Sequence, residues 1–147
     1  MIETIFVALS KLYQHSELML NSADLKFSVI GREDSPEINF NANTGELFIS
    51  GKSLPDDAFE FYHHAIAWVR RYSETPCEVT TFTLRIVYMN SASAKRIIDI
   101  LEILDDIKLK GKVVNVMWEY ASDDEDALEE GNEMERMCNL PFTYVQI

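Results

Sequence analysis

The chain has 147 residues, the size of one ordinary domain, and 47% of them are hydrophobic. Its 25 acidic residues outweigh 13 basic ones, for a formal net charge of −12. Such a surface repels a phosphate backbone, and the paired cations Arg70-Arg71 and Lys95-Arg96 make no basic patch, so nucleic acid is excluded as a partner.

In chain order, residues 2–20 place Ile2, Ile5, Phe6, Leu9, Leu12 and Tyr13 at the steps of an amphipathic helix. This start has no basic n-region and no small-residue cleavage site, so no secretory leader is expected. No apolar run approaches the roughly 18 residues of a membrane span. A cytoplasmic location without membrane insertion follows as the expectation. The polar stretch 21–36 reads as a linker with a short strand at 25–30. Residues 1–34 are therefore taken as a helical extension and linker, and 35–147 as the domain proper.

Strands at 37–40 and 46–50 flank Asn41-Ala-Asn-Thr-Gly45, a hairpin signal in which Asn and Gly can take positive φ. Ser53-Leu-Pro-Asp56 reads as a helix start, and the helix extends to about Tyr72 with Ala58, Tyr62, Ala65, Ile66 and Val69 on its core stripe. A loop at 73–77 leads to a strand at 79–89, rich in β-branched and aromatic residues. A second helix is expected over 92–108 and a strand over 113–120. Ser122-Asp-Asp-Glu125 has the capping-box pattern and opens a third helix. Asn139-Leu-Pro141 ends it before a last strand at 142–147. The order ββαβαβαβ predicts an α/β fold, a mixed sheet of about five strands with an opening hairpin and right-handed crossover helices.

The junction after Met89 draws attention. In open α/β sheets, ligands gather at the carboxyl ends of strands. Asn90-Ser-Ala-Ser93 stands there, and the helix that begins has unpaired N–H groups and a partial positive charge at its start. Lys95 and Arg96 follow, where a helix ordinarily prefers anions. Two readings are open. Asn90 or a serine simply caps the helix. Alternatively, Ser91 or Ser93 is phosphorylated, or the site holds a phosphate group of a ligand, with Asn90, Lys95 and Arg96 as its environment.

On the same helix, Ala94, Ile97, Ile98, Leu101 and Leu104 share one face, and Ile100, Ile103 and Ile107 form a second, adjacent stripe. That stripe either touches a neighbouring helix or docks a partner.

Little here suggests catalysis. His63 and His64 are adjacent on a helix and cannot share one face as metal ligands, and His15 stands alone. Cys77 and Cys138 lack any C-x-x-C spacing and read as reduced thiols. No phosphate loop or nucleophile elbow is present. Trp68 and Trp118 read as core. No catalytic residue, metal or cofactor is expected.

From residue 35 onward the chain resembles the SiaC family of bacterial regulatory phosphoproteins, whose fold is STAS-like, that is, like the anti-sigma-factor antagonists. The matching stretches are Pro36-Glu-Ile-Asn-Phe-Asn-Ala-Asn-Thr-Gly-Glu-Leu-Phe-Ile-Ser-Gly51, Ser53-Leu-Pro-Asp-Asp-Ala-Phe-Glu-Phe-Tyr62 and Trp68. They continue with Tyr88-Met-Asn-Ser-Ala-Ser-Ala-Lys95, Asp99-Ile-Leu-Glu-Ile-Leu104, Val116-Met-Trp-Glu-Tyr120 and Leu140-Pro-Phe142. The resemblance implies a non-enzymatic partner switch in c-di-GMP signalling and biofilm or aggregation control. A dedicated protein kinase phosphorylates it, a PP2C-like phosphatase restores it, and the unmodified form binds and activates a diguanylate cyclase. Ser91 matches the family's phosphorylated threonine. This chain departs from the pattern with serine at 91, alanine at 92 and a long N-terminal segment. The rival readings are an unregulated interaction or dimerisation module, and a small-molecule-binding domain.

Overall fold

A computed structural model describes residues 24–147. The amphipathic helix expected at 2–20 lies outside the described residues. Six strands form one sheet in simple chain order: β1 (Lys26–Val29), β2 (Glu37–Asn41), β3 (Glu46–Ser53), β4 (Val79–Met89), β5 (Val113–Tyr120) and β6 (Phe142–Gln146). Three helices connect the later strands: α1 (Ala58–Tyr72), α2 (Ser91–Leu109) and α3 (Glu125–Arg136). The short strand expected at 25–30 is β1, and it pairs with β2, Phe27 opposite Phe40. The sheet therefore has six strands where about five were expected.

β1, β2 and β3 run antiparallel, while β3 through β6 run parallel. Each crossover advances one strand in the same direction, so right-handed connections set all three helices on one face. The side chains agree. Phe40, Leu47, Phe82, Val116 and Phe142 lie in one cross-sheet row, and all are buried under the helices. Trp68 of α1 packs on Phe40, with ring centroids 5.4 Å apart, and Trp118 of β5 donates to the Ala127 carbonyl of α3 at 2.9 Å. Both tryptophans are core, as their sequence setting implied.

Two local starts differ from expectation. β3 continues through Ser53, and α1 begins at Ala58 with Asp57 as its cap, accepting from Glu60 N–H at 3.1 Å. Likewise Asp124, not Ser122, caps α3 by accepting from Ala127 N–H at 3.0 Å. In both cases an aspartate nearer the first helical residue out-competes the earlier serine, because a short carboxylate reaches the free amides directly. In the hairpin, only Gly45 takes a positive φ, at 75°. A Cβ there would stand 2.3 Å from the Val79 carbonyl, so the turn needs glycine for space as well as conformation. Asn41 contributes differently, its side chain accepting from Asn43 N–H at 2.9 Å.

Candidate functional site

The end of β4 is tied to the end of β3 by Asn90 N–H donating to the Ser53 carbonyl at 3.2 Å. Asn90 then caps α2, its Oδ1 accepting from Ser93 N–H at 2.8 Å. The capping reading and the site reading thus fall on different residues. Asn90 is the cap, and Ser91, the first residue of the helix, is free and exposed. The first amides of α2 point past it, as helix geometry requires.

Ser93 is fully buried. Ser53 Oγ donates to its Oγ at 2.9 Å, and Ser53 Oγ also stands 2.6 Å from the Tyr62 hydroxyl. Burial raises the Tyr62 phenol to about 12, partly countered by that Ser53 hydrogen bond. These three hydroxyls pin the starts of α1 and α2 to the end of β3. A phosphate on Ser93 would have to break into that network.

The two cations separate. Lys95, one turn after Ser91, is exposed and lines the same cleft. Arg96 turns the other way, pairing with Asp99 at 3.0 Å and stacking its guanidinium 5.5 Å over the Phe59 ring of α1. The expected environment of Ser91 therefore reduces to Asn90 and Lys95.

The isoleucine stripe is corrected by the structure. Ile100 and Ile107 are wholly buried, and Ile103 is partly buried against the same core. The cause is position: α2 is the middle helix, lying on β5 and flanked by α1, so both of its apolar arcs are used inside the fold. Only Ile103 keeps partial exposure, too little to make the stripe a docking surface.

What lies open instead is a cleft of about 540 Å³ between the start of α2 and α3. Its lining is mainly apolar, from Met89, Ala94, Ile98, Met134 and Met137. Ser91 and Lys95 form one rim, Glu130 and Glu133 the other. The α3 residues escaped sequence reasoning, because only the chain crossing brings α3 beside the β4–α2 junction. The available hint was two methionines three apart, Met134 in an otherwise acidic helix and the exposed Met137 just past its end.

Burial raises Glu130 above the ordinary glutamate range, and the carboxylates of Asp124, Glu133 and Asp126 push it further. Its Oε2 is shut from solvent and accepts no hydrogen bond among the described residues. Only between the ordinary glutamate range and the raised value does the folded state keep a proton that the unfolded chain has released, and stability falls as pH rises through the raised value. Glu130→Gln is expected to raise the melting temperature at pH 7–8, by only about 1–2 °C because the group is part-solvated. The gain should vanish below about pH 4, where glutamate is protonated in both states. Melting curves of the two proteins across pH test this; a constant difference would disprove it.

Among the described residues, no cluster of His, Cys, Asp or Glu could hold a metal ion, and no helix is long and apolar enough to cross a membrane. Both cysteines are free thiols.

A mixed sheet with helices on one face and an open cleft at the strand-to-helix ends is the architecture of a STAS-like domain. The profile of SiaC family regulatory phosphoproteins matches residues 29–147, and the chain belongs to that family. It is thus a regulatory protein rather than an enzyme. A protein of Pseudomonas aeruginosa (strain UCBPP-PA14), described as uncharacterised, is 30% identical over 112 residues, 76% of this chain and 89% of its own. The crystal structure of apo-SiaC from Pseudomonas aeruginosa superposes with a TM-score of 0.74 at 28% identity, covering 82% of this chain and 98% of that one. The crystal structure of the diguanylate cyclase SiaD in complex with its activator SiaC, from the same species, matches with a TM-score of 0.77 at 27% identity, covering 82% and 99%.

Proposed function

We propose that this chain is a cytoplasmic partner switch that binds and activates a diguanylate cyclase while Ser91 is unmodified. A protein kinase adds phosphate to Ser91 and releases the cyclase; a PP2C-like phosphatase removes it. The switch itself resides in 35–147, with 1–34 as an extension. The observation that carries the reading is the contrast between the two serines: Ser91 is exposed at the rim of an apolar cleft, whereas Ser93 is buried in a hydroxyl network. A kinase reaches the first without unfolding anything. The relative in complex with SiaD is described as that cyclase's activator, which supports a cyclase as partner here.

Phosphopeptide mapping of the protein recovered from its own cells, with and without phosphatase treatment, tests the assignment. Phosphate on Ser91, lost on treatment, is the expected result. Phosphate confined to Ser93, or on neither serine across several growth conditions, would overturn it.

A further inference from the structure

The two rims of the cleft carry opposite charge. On the α2 side stand Lys95 and the positive end of a 19-residue helix. On the α3 side stand the carboxylates of Glu130 and Glu133, three residues apart and therefore on one helix face. Between them the floor is apolar, with Ile98 and Met134 almost fully buried beneath it. No ion pair spans the rims among the described residues: neither Lys95 nor the exposed Glu133 has an opposite charge within salt-bridge distance. Each rim is thus left to be matched from outside.

We propose that this cleft selects an amphipathic protein segment whose apolar residues are flanked by an acidic residue on one side and a basic residue on the other. The apolar residues seat on the methionine-rich floor, the acid meets Lys95 and the helix start, and the base meets Glu130 and Glu133. The inference rests on the cleft being the switch's docking surface, and it explains how one phosphate reverses docking. Phosphate on Ser91 gives the α2 rim the same sign as the α3 rim and occupies Lys95, four residues along the helix. The incoming acid is then repelled from the place that had attracted it.

The test uses the full chain, unmodified, with four amphipathic helical peptides that share one leucine face. Their flanks are acid on one side and base on the other, base on both, acid on both, or glutamine on both. Calorimetric titration gives affinities, and methyl shifts of Met134 and Met137 locate the binding. The acid–base peptide is expected to bind roughly tenfold tighter than the glutamine peptide, both rims contributing as partly screened pairs. It should also exceed the doubly basic peptide, which the net charge of −12 alone would favour. Lys95→Glu should transfer the preference to the doubly basic peptide. Glu130→Gln with Glu133→Gln should abolish the contribution of the basic flank, while Glu46→Gln with Glu74→Gln, the same change in net charge elsewhere, should not. Equal binding of all four peptides, tightest binding of the doubly basic one to the unchanged protein, or no binding at all would each overturn the proposal. None of these results depends on phosphate, so the cleft's selectivity can fail while the Ser91 switch stands, and the reverse.

Discussion

Ser91→Asp is expected to weaken binding of the cognate cyclase by about 100-fold, while Ser91→Ala leaves it within about threefold of the unchanged protein. The magnitude follows from where Ser91 lies. It is exposed in the free protein, so phosphate or a carboxylate costs little there. Once a partner covers the cleft, the same charge stands at the edge of an apolar floor and loses its water. Phosphate brings roughly −1.5 to −2 charges, and a desolvation cost of about 3 kcal/mol corresponds to about 100-fold in affinity. Lys95 recovers part of that cost within the protein, but it is then lost to the partner. Aspartate carries a single charge, so full phosphorylation should exceed the mimic. Alanine removes only a hydroxyl that bears no part of the cap, since Asn90 does the capping. Binding measured by calorimetry, together with cyclase turnover, decides the matter. Equal affinity for the aspartate, alanine and serine forms would end the switch reading.

The second large effect concerns α3. Gly131→Ala is expected to destabilise the protein by about 2 kcal/mol, lowering the melting temperature by roughly 4–8 °C. A Cβ at Gly131 would lie 2.6 Å from Trp118 Nε1 and 2.7 Å from two ring carbons. The indole cannot yield: it is fully buried, it stacks on Phe142 with planes 13° apart, and its N–H is committed to the Ala127 carbonyl. So α3 must move instead. Over-packing of this kind costs about 1–3 kcal/mol, and loss of the tryptophan hydrogen bond adds about 1. The better helix propensity of alanine returns up to about 1 kcal/mol. Glu129→Ala, on the exposed side of the same helix, should be neutral or slightly stabilising. Chemical denaturation of both variants gives the comparison; a Gly131→Ala protein as stable as the parent would mean that α3 does not sit so close to the sheet. Because α3 forms one wall of the cleft, the variant should also weaken partner binding.

Much of this architecture was legible in the residues. Alternating β-branched stretches bounded the strands at 79–89 and 113–120, because the period of two and the flanking turn residues are local properties. The strand inside the polar segment before Pro36 was visible too, but its place as β1 beside β2 was not, since pairing depends on where the chain returns. The proposed phosphosite rested on a strand-to-helix junction and on family likeness. Family likeness alone ranked Ser91 above Ser93; the physical difference between them was hidden, because the hydroxyl network with Ser53 and Tyr62 joins residues 40 and 9 positions apart.

The isoleucine stripe shows the limit most plainly. Periodicity placed Ile100, Ile103 and Ile107 on one arc of α2, and that was right as geometry. Whether an apolar arc meets solvent, a partner or the protein's own core depends on what packs beside it. Here α1 and the sheet close over the arc, so the helix carries a wide apolar face and keeps Lys95, Glu102 and Asp106 exposed on the remaining side. The open surface lies instead between α2 and α3, which are separated in sequence by the whole of β5. The sequence alone therefore determined the elements, the acidic surface and the presence of hydroxyls at a helix start, all set by short-range chemistry. The tertiary structure decided which serine is free, which cation stays beside it and which groove is open, because each depends on the side chains that distant elements bring into contact.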